Sequence, residues 1–379
     1  MKQKKFVKGL ALFFAMLLTC GFVGMPASAA PSVSAKSAVL IEAESGRVLY
    51  QQNAFLRLPM ASTTKIMTAI VAIESGDTKR TVAVSPDAVG IEGSSVYLYP
   101  GEQLTMEELL YALLLESAND AATAIAIAVA GSVEGFSRKM NEKAESLGLT
   151  ATHFTNPHGL DDEAHYTTAY DLAVLSAYAL KNEAFRTICA TTRKTIPLKG
   201  DEGTRVLVNH NKMLTRYEGA IGVKTGFTKR SGRCLVSAAE RDGLTLIAVT
   251  LGAPDDWRDH AAMLDFGFEN YQSVLLAEKG GLVLPLSVVG GDTASVLVAN
   301  TEEACALLGR NRGEITYRIE APQMLYAPVA SGDTVGRVVW MCDGEEIGTS
   351  PLVTINTVAY KKAERKGLLA WLTSLFDRE

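Results

Sequence analysis

The spacing of apolar positions predicts a helical middle between two stretches of strands. Short apolar runs at Ala38–Ala43 and Val48–Gln51 predict a β-hairpin. Helical spacing of apolar residues predicts helices over Ser62–Ser75, Thr105–Leu115, Ala121–Ala130, Val133–Leu147 and Ala169–Lys181. The second helix starts with Thr105-x-x-Glu108, the spacing of a capping box. Strand patterns return at Arg233–Ala239 and Leu244–Leu251, so we expect an α+β fold whose sheet joins both ends of the segment.

The pattern changes after a last helix near Trp257–Asp265. From about Ser273 to Tyr360, short Val, Leu and Ile runs alternate with turn signals such as Gly290-Gly291-Asp292, which predicts a small all-β domain. We therefore expect an α+β domain at residues 30–272, an all-β domain at 273–360 and a terminal helix at 361–379.

The first 29 residues predict a secretory signal peptide. They hold four lysines and no acid, an apolar run from Gly9 to Val23, and the small-residue cleavage site Ala27-Ser28-Ala29. The mature chain is expected to start at Ala30 and to act outside the cytoplasm. A lipoprotein site at Cys20 and a retained signal anchor are the less favoured alternatives, because Thr19 suits lipidation poorly and the run is short for a bilayer span.

Composition excludes two classes of protein. The chain has 379 residues, of which 47% are hydrophobic, so it is too apolar to be disordered. Without the leader, the basic count falls from 37 to 33 against 42 acids, a net charge of about −9. A nucleic-acid-binding protein needs a basic face for the phosphates, so no nucleic-acid partner is expected.

Cysteine and histidine spacing gives no metal motif. The cysteines that remain after cleavage match no zinc pattern: Cys189, Cys234, Cys305 and Cys342. Buried thiols are the favoured interpretation, and a bond between Cys305 and Cys342 is the alternative. His153, His158 and His165 lack the H-E-x-x-H spacing, so no metal site is expected.

Three short motifs carry the candidate chemistry. Ser62-Thr63-Thr64-Lys65 is the only S-x-x-K, and positions i and i+3 of a helix share a face. The Lys65 amine can therefore lie beside the Ser62 hydroxyl, which needs such a neighbour to become a nucleophile. One S-x-x-K is expected by chance in roughly every chain of this length. Ser117-Ala118-Asn119 is the only S-x-N and Lys224-Thr225-Gly226 the only K-T-G, and the three together in an exported chain favour one catalytic site.

This triplet is similar to the signature of the serine penicillin-recognising enzymes, which are penicillin-binding proteins and β-lactamases. Segments that resemble low-molecular-mass D-alanyl-D-alanine carboxypeptidases are Pro59–Thr68, Asn156–Leu160, His165–Asp171, Gly222–Thr228 and Gly232–Val236. The resemblance runs from about Ala38 to the C-terminus. It implies a penicillin-binding-protein/β-lactamase-like transpeptidase domain, followed by the small all-β domain and a C-terminal amphipathic helix.

The resemblance also implies a substrate and roles for the site residues. The substrate is a peptidoglycan stem peptide that ends in D-Ala-D-Ala, and penicillins are covalent inhibitors. Ser62 attacks the carbonyl of the penultimate residue, Lys65 is the candidate base for acylation, and Ser117 relays a proton to the leaving amine. The substrate-binding residues implied are Asn119 for the amide, Lys224, Thr225 and Gly226 for the terminal carboxylate, and Phe227, whose N–H joins that of Ser62 in an oxyanion hole. No metal or organic cofactor is implied.

The sequence departs from the family pattern at one position, and three other functions compete with the carboxypeptidase. Some relatives carry an arginine between the asparagines of an Asn-x-Asn segment, where this chain has His210, so a carboxylate-binding role and a packed loop residue are equally open. A β-lactamase is disfavoured because no E-x-x-L-N string lies between Asn119 and Lys224. A β-lactam sensor is disfavoured because sensors usually follow several transmembrane helices. A DD-endopeptidase that cleaves cross-links would use the same groups.

The C-terminal segment has an apolar face. Its members are Leu368, Leu369, Trp371, Leu372, Leu375 and Phe376, and a basic cluster precedes them. The segment is too short to span a bilayer, so we expect it to lie in the interface and hold the enzyme on the extracytoplasmic face of the membrane. Packing of this face on the β domain is the alternative.

Overall fold

The protein is described by a computed structural model over residues 29–198 and 203–362. These residues form two compact units, which divide between Asn270 and Tyr271. The predicted signal peptide and terminal helix lie outside the described residues, except at their inner ends. No helix in the described part of the chain is long and apolar enough to cross a membrane.

The first unit contains nine strands and eight α-helices within the described ranges. Its strands are β1 Ser37–Glu42, β2 Val48–Gln52, β3 Thr81–Ala83, β4 Gln103–Thr105, β5 Arg193–Pro197, β6 Thr204–Val208, β7 Ala220–Thr228, β8 Gly232–Arg241 and β9 Leu244–Leu251. Its α-helices are α1 Lys65–Glu74, α2 Met106–Leu115, α3 Asn119–Ala130, α4 Val133–Ser146, α5 Ala169–Leu180, α6 Glu183–Ala190, α7 Met213–Arg216 and α8 Asp256–Asn270.

The main sheet joins the two ends of this unit, as the pattern predicts. It has the order β2-β1-β9-β8-β7 and is antiparallel throughout. β1 is buried along its whole length, which explains why it reads as a continuous apolar run rather than an alternation. Val39 on β1 pairs with Val249 on β9, and both side chains are fully buried in the core shared with the helices.

The helix expected over Ser62–Ser75 begins differently. Ala61–Thr64 form a 3₁₀ turn, and the α-helix starts only at Lys65. The Thr63 and Thr64 hydroxyls donate to the carbonyls three residues earlier, at 2.6 and 2.8 Å, which favours the tighter turn. The capping box of α2 forms as predicted: Thr105 Oγ1 accepts from the Glu108 N–H at 3.2 Å, and the Glu108 carboxylate accepts from the Thr105 N–H at 2.7 Å.

The pattern missed several elements of this unit. The K-T-G motif lies within a strand that the apolar pattern did not predict, β7, at the edge of the sheet. The β5–β6 hairpin and helix α6 were also not predicted.

The second unit is all-β over its described residues, as predicted. Its strands are β10 Tyr271–Ala277, β11 Val283–Val289, β12 Ser295–Asn300, β13 Ala304–Gly309, β14 Ile315–Glu320, β15 Met324–Tyr326, β16 Thr334–Cys342 and β17 Glu345–Thr354. Six form a sheet in the order β14-β16-β17-β12-β11-β15, and β10 pairs with β13. Trp340 fills the core, and its indole N–H donates to Ser350 Oγ at 3.1 Å.

Three of the four cysteines follow the favoured interpretation of buried thiols, whereas Cys305 is exposed. Cys189, Cys234 and Cys342 are buried thiols, so Cys342 is not bonded to Cys305. Within residues 29–198 and 203–362, no three or more His, Cys, Asp or Glu side chains are grouped to hold a metal ion.

Candidate active site

Ser62 and Lys65 lie one turn apart, at the junction of the 3₁₀ turn and α1. Lys65 Nζ is 3.0 Å from Ser62 Oγ, and the amine also contacts Asn119 Oδ1 at 2.7 Å and the His158 carbonyl at 2.6 Å. The Lys65 side chain is fully buried. Burial, reinforced by the charge of Lys224, lowers the Lys65 pKa well below its ordinary value, while Asp120 acts in the opposite direction.

The S-x-N motif forms the sharp turn between α2 and α3. Ser117 has a φ of +59°, and its side chain is nearly buried. Within the residues that the structure describes, its hydroxyl makes no hydrogen bond. Asn119 is tied to the Glu92–Ser94 loop, because its N–H donates to the Ser94 carbonyl at 2.7 Å and its side-chain amide donates to the Glu92 carbonyl at 2.5 Å. The loop therefore fixes the amide that contacts Lys65.

Strand β7 runs close beside the turn that carries Ser62. A Cβ added to Gly226 would lie 3.0 Å from Ser62 N and 3.2 Å from the Met60 carbonyl oxygen, so any larger residue would have to push the turn away by a few tenths of an ångström. Lys224 is buried, and burial lowers its pKa to about 7. Its amine donates to the Thr225 carbonyl at 3.0 Å, whereas the Phe227 side chain is exposed. The K-T-G strand thus forms one wall of the site.

The loop at Pro157–Gly159 completes the site, and motif spacing did not assign it a role. The His158 carbonyl accepts from Lys65, and the Pro157 carbonyl accepts from Thr68 Oγ1 at 2.6 Å. Gly159 packs on the Ala61 carbonyl. Burial lowers the pKa of the His158 imidazole to about 3, so this ring is neutral at pH 7.

His210 lies at the rim of the site. Its side chain is largely exposed, and Nε2 is 2.9 Å from a carboxylate oxygen of Glu116, the residue before Ser117. The neighbouring Asn209 holds the loop by donating to the Cys189 and Thr191 carbonyls. His210 is therefore an exposed rim residue rather than a packed one.

The three motifs therefore come together around Ser62 and Lys65. Known protein families match both parts of the chain. Residues 25–255 match the D-alanyl-D-alanine carboxypeptidase family, and residues 271–360 match the C-terminal domain of penicillin-binding protein 5. The chain belongs to the D-alanyl-D-alanine carboxypeptidase family. It is a serine-type hydrolase of the penicillin-binding-protein group, as the motifs predicted.

Curated relatives extend over most of the chain. It is 36% identical over 328 residues to D-alanyl-D-alanine carboxypeptidase DacF of Bacillus subtilis, and the aligned region covers 84% of each chain. It is 32% identical over 375 residues to DacC of Escherichia coli, with 93% of this chain and 92% of the relative covered. The solved structure of penicillin-binding protein 5 from Haemophilus influenzae has a TM-score of 0.74 at 28% identity and covers 87% of this carboxypeptidase and 99% of that chain. The family acts on peptidoglycan in the cell wall and binds β-lactams as substrate-like inhibitors.

Proposed function

We propose that Ser62 is the nucleophile with which this carboxypeptidase removes the terminal D-Ala from peptidoglycan stem pentapeptides, and that penicillins acylate the same hydroxyl. The observation that carries the proposal is the 3.0 Å contact between Ser62 Oγ and the buried amine of Lys65. A serine hydroxyl needs an adjacent base, and an amine serves as one only when its pKa is lowered.

The contacts of Lys65 suit a neutral amine that acts as a base. A neutral amine has two N–H donors and one lone pair. The two shorter contacts are to carbonyl oxygens, those of the Asn119 side chain and the His158 main chain, which can only accept. The lone pair is then left for the third contact, the Ser62 hydroxyl. Lys65 takes the hydroxyl proton as Ser62 Oγ attacks the carbonyl carbon of the penultimate D-Ala.

The remaining motif residues act on the substrate in this proposal. The Ser117 hydroxyl passes a proton from Lys65 to the leaving D-Ala nitrogen, and the second N–H of the Asn119 amide is left for the substrate carbonyl. The N–H groups of Ser62 and Phe227 stabilise the oxyanion, which the close packing at Gly226 supports. Water then hydrolyses the acyl-enzyme.

The terminal carboxylate meets Lys224 and Thr225. A carboxylate that enters the buried site forms a charge-assisted hydrogen bond with the Lys224 ammonium and raises its pKa from about 7, so binding holds this lysine in its charged form. Recognition of a free carboxylate distinguishes an exopeptidase from an endopeptidase that cleaves cross-links.

We assign catalysis to residues 30–272, and we propose that the enzyme is exported and held on the extracytoplasmic face of the membrane by residues 361–379. The sequence supports this through its leader and through the apolar face that ends in Phe376 behind a basic cluster.

The test is release of D-Ala. The mature chain from Ala30 is incubated with diacetyl-L-Lys-D-Ala-D-Ala, and free D-Ala is assayed against the matched Ser62→Ala enzyme. We expect release by the wild type alone. Equal release by both enzymes would contradict the proposal, and cleavage of cross-linked dimers in preference to the tripeptide would favour the endopeptidase.

A further inference from the structure

A buried histidine outside the three motifs connects to the nucleophile turn. His165 is only 3% exposed. Its Nδ1 accepts from the Thr155 N–H at 3.0 Å and is 3.2 Å from the Thr155 hydroxyl, while Nε2 is 2.7 Å from Thr64 Oγ1. A backbone N–H can only donate, so Nδ1 must be the acceptor and the proton of the neutral ring lies on Nε2. The ring therefore donates to Thr64.

Thr64 connects His165 to Ala61, the residue before Ser62, through a second hydrogen bond. Because its oxygen accepts from His165, its own proton is directed to the Ala61 carbonyl, 2.8 Å away. Ala61 is buried and has a φ of +47°, a left-handed conformation that disfavours any residue with a Cβ. Hydrogen bonds thus run in one direction from Thr155 through His165 and Thr64 to a strained peptide next to the nucleophile.

We propose that His165 is a positioning residue for the nucleophile, whose Nε2–H fixes Thr64 and the Ala61 carbonyl and thereby holds the Ser62 hydroxyl against Lys65. The inference rests on the proposed role of Ser62. His165 itself touches neither the substrate nor the reacting atoms, and it acts through Thr64.

The surroundings of the ring keep it in the required form. Burial is the largest influence and lowers the pKa of His165, Asp162 raises it, and His153 and Lys65 lower it further. The resulting pKa of His165 is about 4, so the ring is neutral at pH 7. A protonated ring would direct an Nδ1–H at the Thr155 N–H and break the chain at its first contact.

Two substitutions of His165 separate its two contacts. His165→Asn keeps an acceptor near the position of Nδ1 for Thr155 but has no atom that reaches Thr64. His165→Gln places an amide N–H near the position of Nε2 and keeps the donor to Thr64. Thr64→Val removes the hydroxyl with little change in shape, and His260→Asn is the matched control, since His260 is a fully buried histidine on α8 that contacts Thr250.

The measurement is the second-order rate constant of acylation by a fluorescent penicillin at pH 7, with thermal unfolding as the check of folding. We expect His165→Asn and Thr64→Val to acylate about tenfold to a hundredfold more slowly, because displacement of a reacting group by about 1 Å has an effect of this size. The double variant should be no slower than the slower single variant. His165→Gln should recover part of the rate, and His260→Asn should acylate like the wild type.

Several results would overturn the inference. They are a wild-type rate in Thr64→Val, a wild-type rate in folded His165→Asn, independent and multiplicative losses in the double variant, or a His165→Gln enzyme no faster than His165→Asn. If the His165 variants do not fold, the Thr64→Val rate decides alone. Labelling of Ser62→Ala would instead refute the proposed nucleophile, so the two failures are distinguishable.

Discussion

Gly159 offers a graded test of how tightly the nucleophile turn is held. Its φ is +86°, and an added Cβ would lie 1.9 Å from the Ala61 carbonyl oxygen and 2.8 Å from Thr64 Oγ1. Real Cβ atoms do not approach other atoms within 3.0 Å, so Gly159→Ala must separate the loop from the turn by about 1.1 Å. The nearest atom belongs to the backbone, so no change of side-chain rotamer can relieve the contact.

The magnitude follows from two separable costs. Alanine in the left-handed region costs about 1–2 kcal/mol wherever it occurs. Gly148→Ala is the matched control, because Gly148 has a φ of +71° and nothing within 4 Å of its added Cβ. Gly159→Ala adds the displacement, for which we expect about 1–3 kcal/mol more loss of stability. Acylation should slow about a hundredfold, or about 2.7 kcal/mol of barrier, since Ser62 directly follows Ala61.

The assay pairs urea unfolding with the rate of acylation by a fluorescent penicillin. Gly148→Ala should lose stability but acylate like the wild type, whereas Gly159→Ala should lose both. If folded Gly159→Ala acylates as fast as Gly148→Ala, the packing on Ala61 does not hold the nucleophile, and this reasoning is refuted.

Three further predictions address carboxylate binding by Lys224, stability at low pH and attachment to the membrane. Lys224→Ala should slow both penicillin acylation and peptide turnover, because both ligands carry a carboxylate. A peptide with a C-terminal amide should show the same loss of turnover with the wild-type enzyme. Equal turnover of the acid and the amide by the wild type would exclude carboxylate binding by Lys224. Unfolding free energy should fall as the pH drops below about 6.5, because the folded pKa values of His165 and His260, about 4 and about 3, lie below the unfolded value of 6.5, so the unfolded chain binds more protons. The loss is about 3 kcal/mol for His165 by pH 4 and is measured by urea unfolding between pH 7.5 and 4; a flat profile would contradict the burial of neutral rings. Deletion of residues 363–379 should move the enzyme from the membrane fraction to the soluble fraction with unchanged turnover of soluble peptide, and an unfolded truncated enzyme would instead indicate a structural segment.

The local elements could be read from the sequence because their signals are local. The capping box of Thr105 and Glu108 and the hairpin of β1 and β2 each depend on residues a few positions apart. The proximity of Ser62 and Lys65 follows from the i, i+3 spacing alone, even though the turn is 3₁₀ at its start. Strand β7 was missed because glycines and polar residues interrupt its apolar pattern, in keeping with its position at the sheet edge.

The rest of the site depends on tertiary contacts that no local pattern encodes. The His158 carbonyl that contacts Lys65 is 93 positions away in sequence, and His165 is 101 positions from Thr64. A main-chain carbonyl carries no side-chain signal, and a histidine without metal spacing reads as a core residue. Only the fold reveals that these groups surround the turn of Ser62.

The central claim is that Ser62 carries the acyl group, and peptide mapping tests it most directly. The mature enzyme is incubated with penicillin, digested with trypsin and analysed by fragmentation mass spectrometry, in which cleavage after Arg57 and Lys65 gives a peptide that holds Ser62, Thr63 and Thr64. We expect one penicilloyl group per chain, on Ser62, and no adduct in Ser62→Ala. A penicilloyl group on Ser117, or an adduct of full yield in Ser62→Ala, would contradict the account.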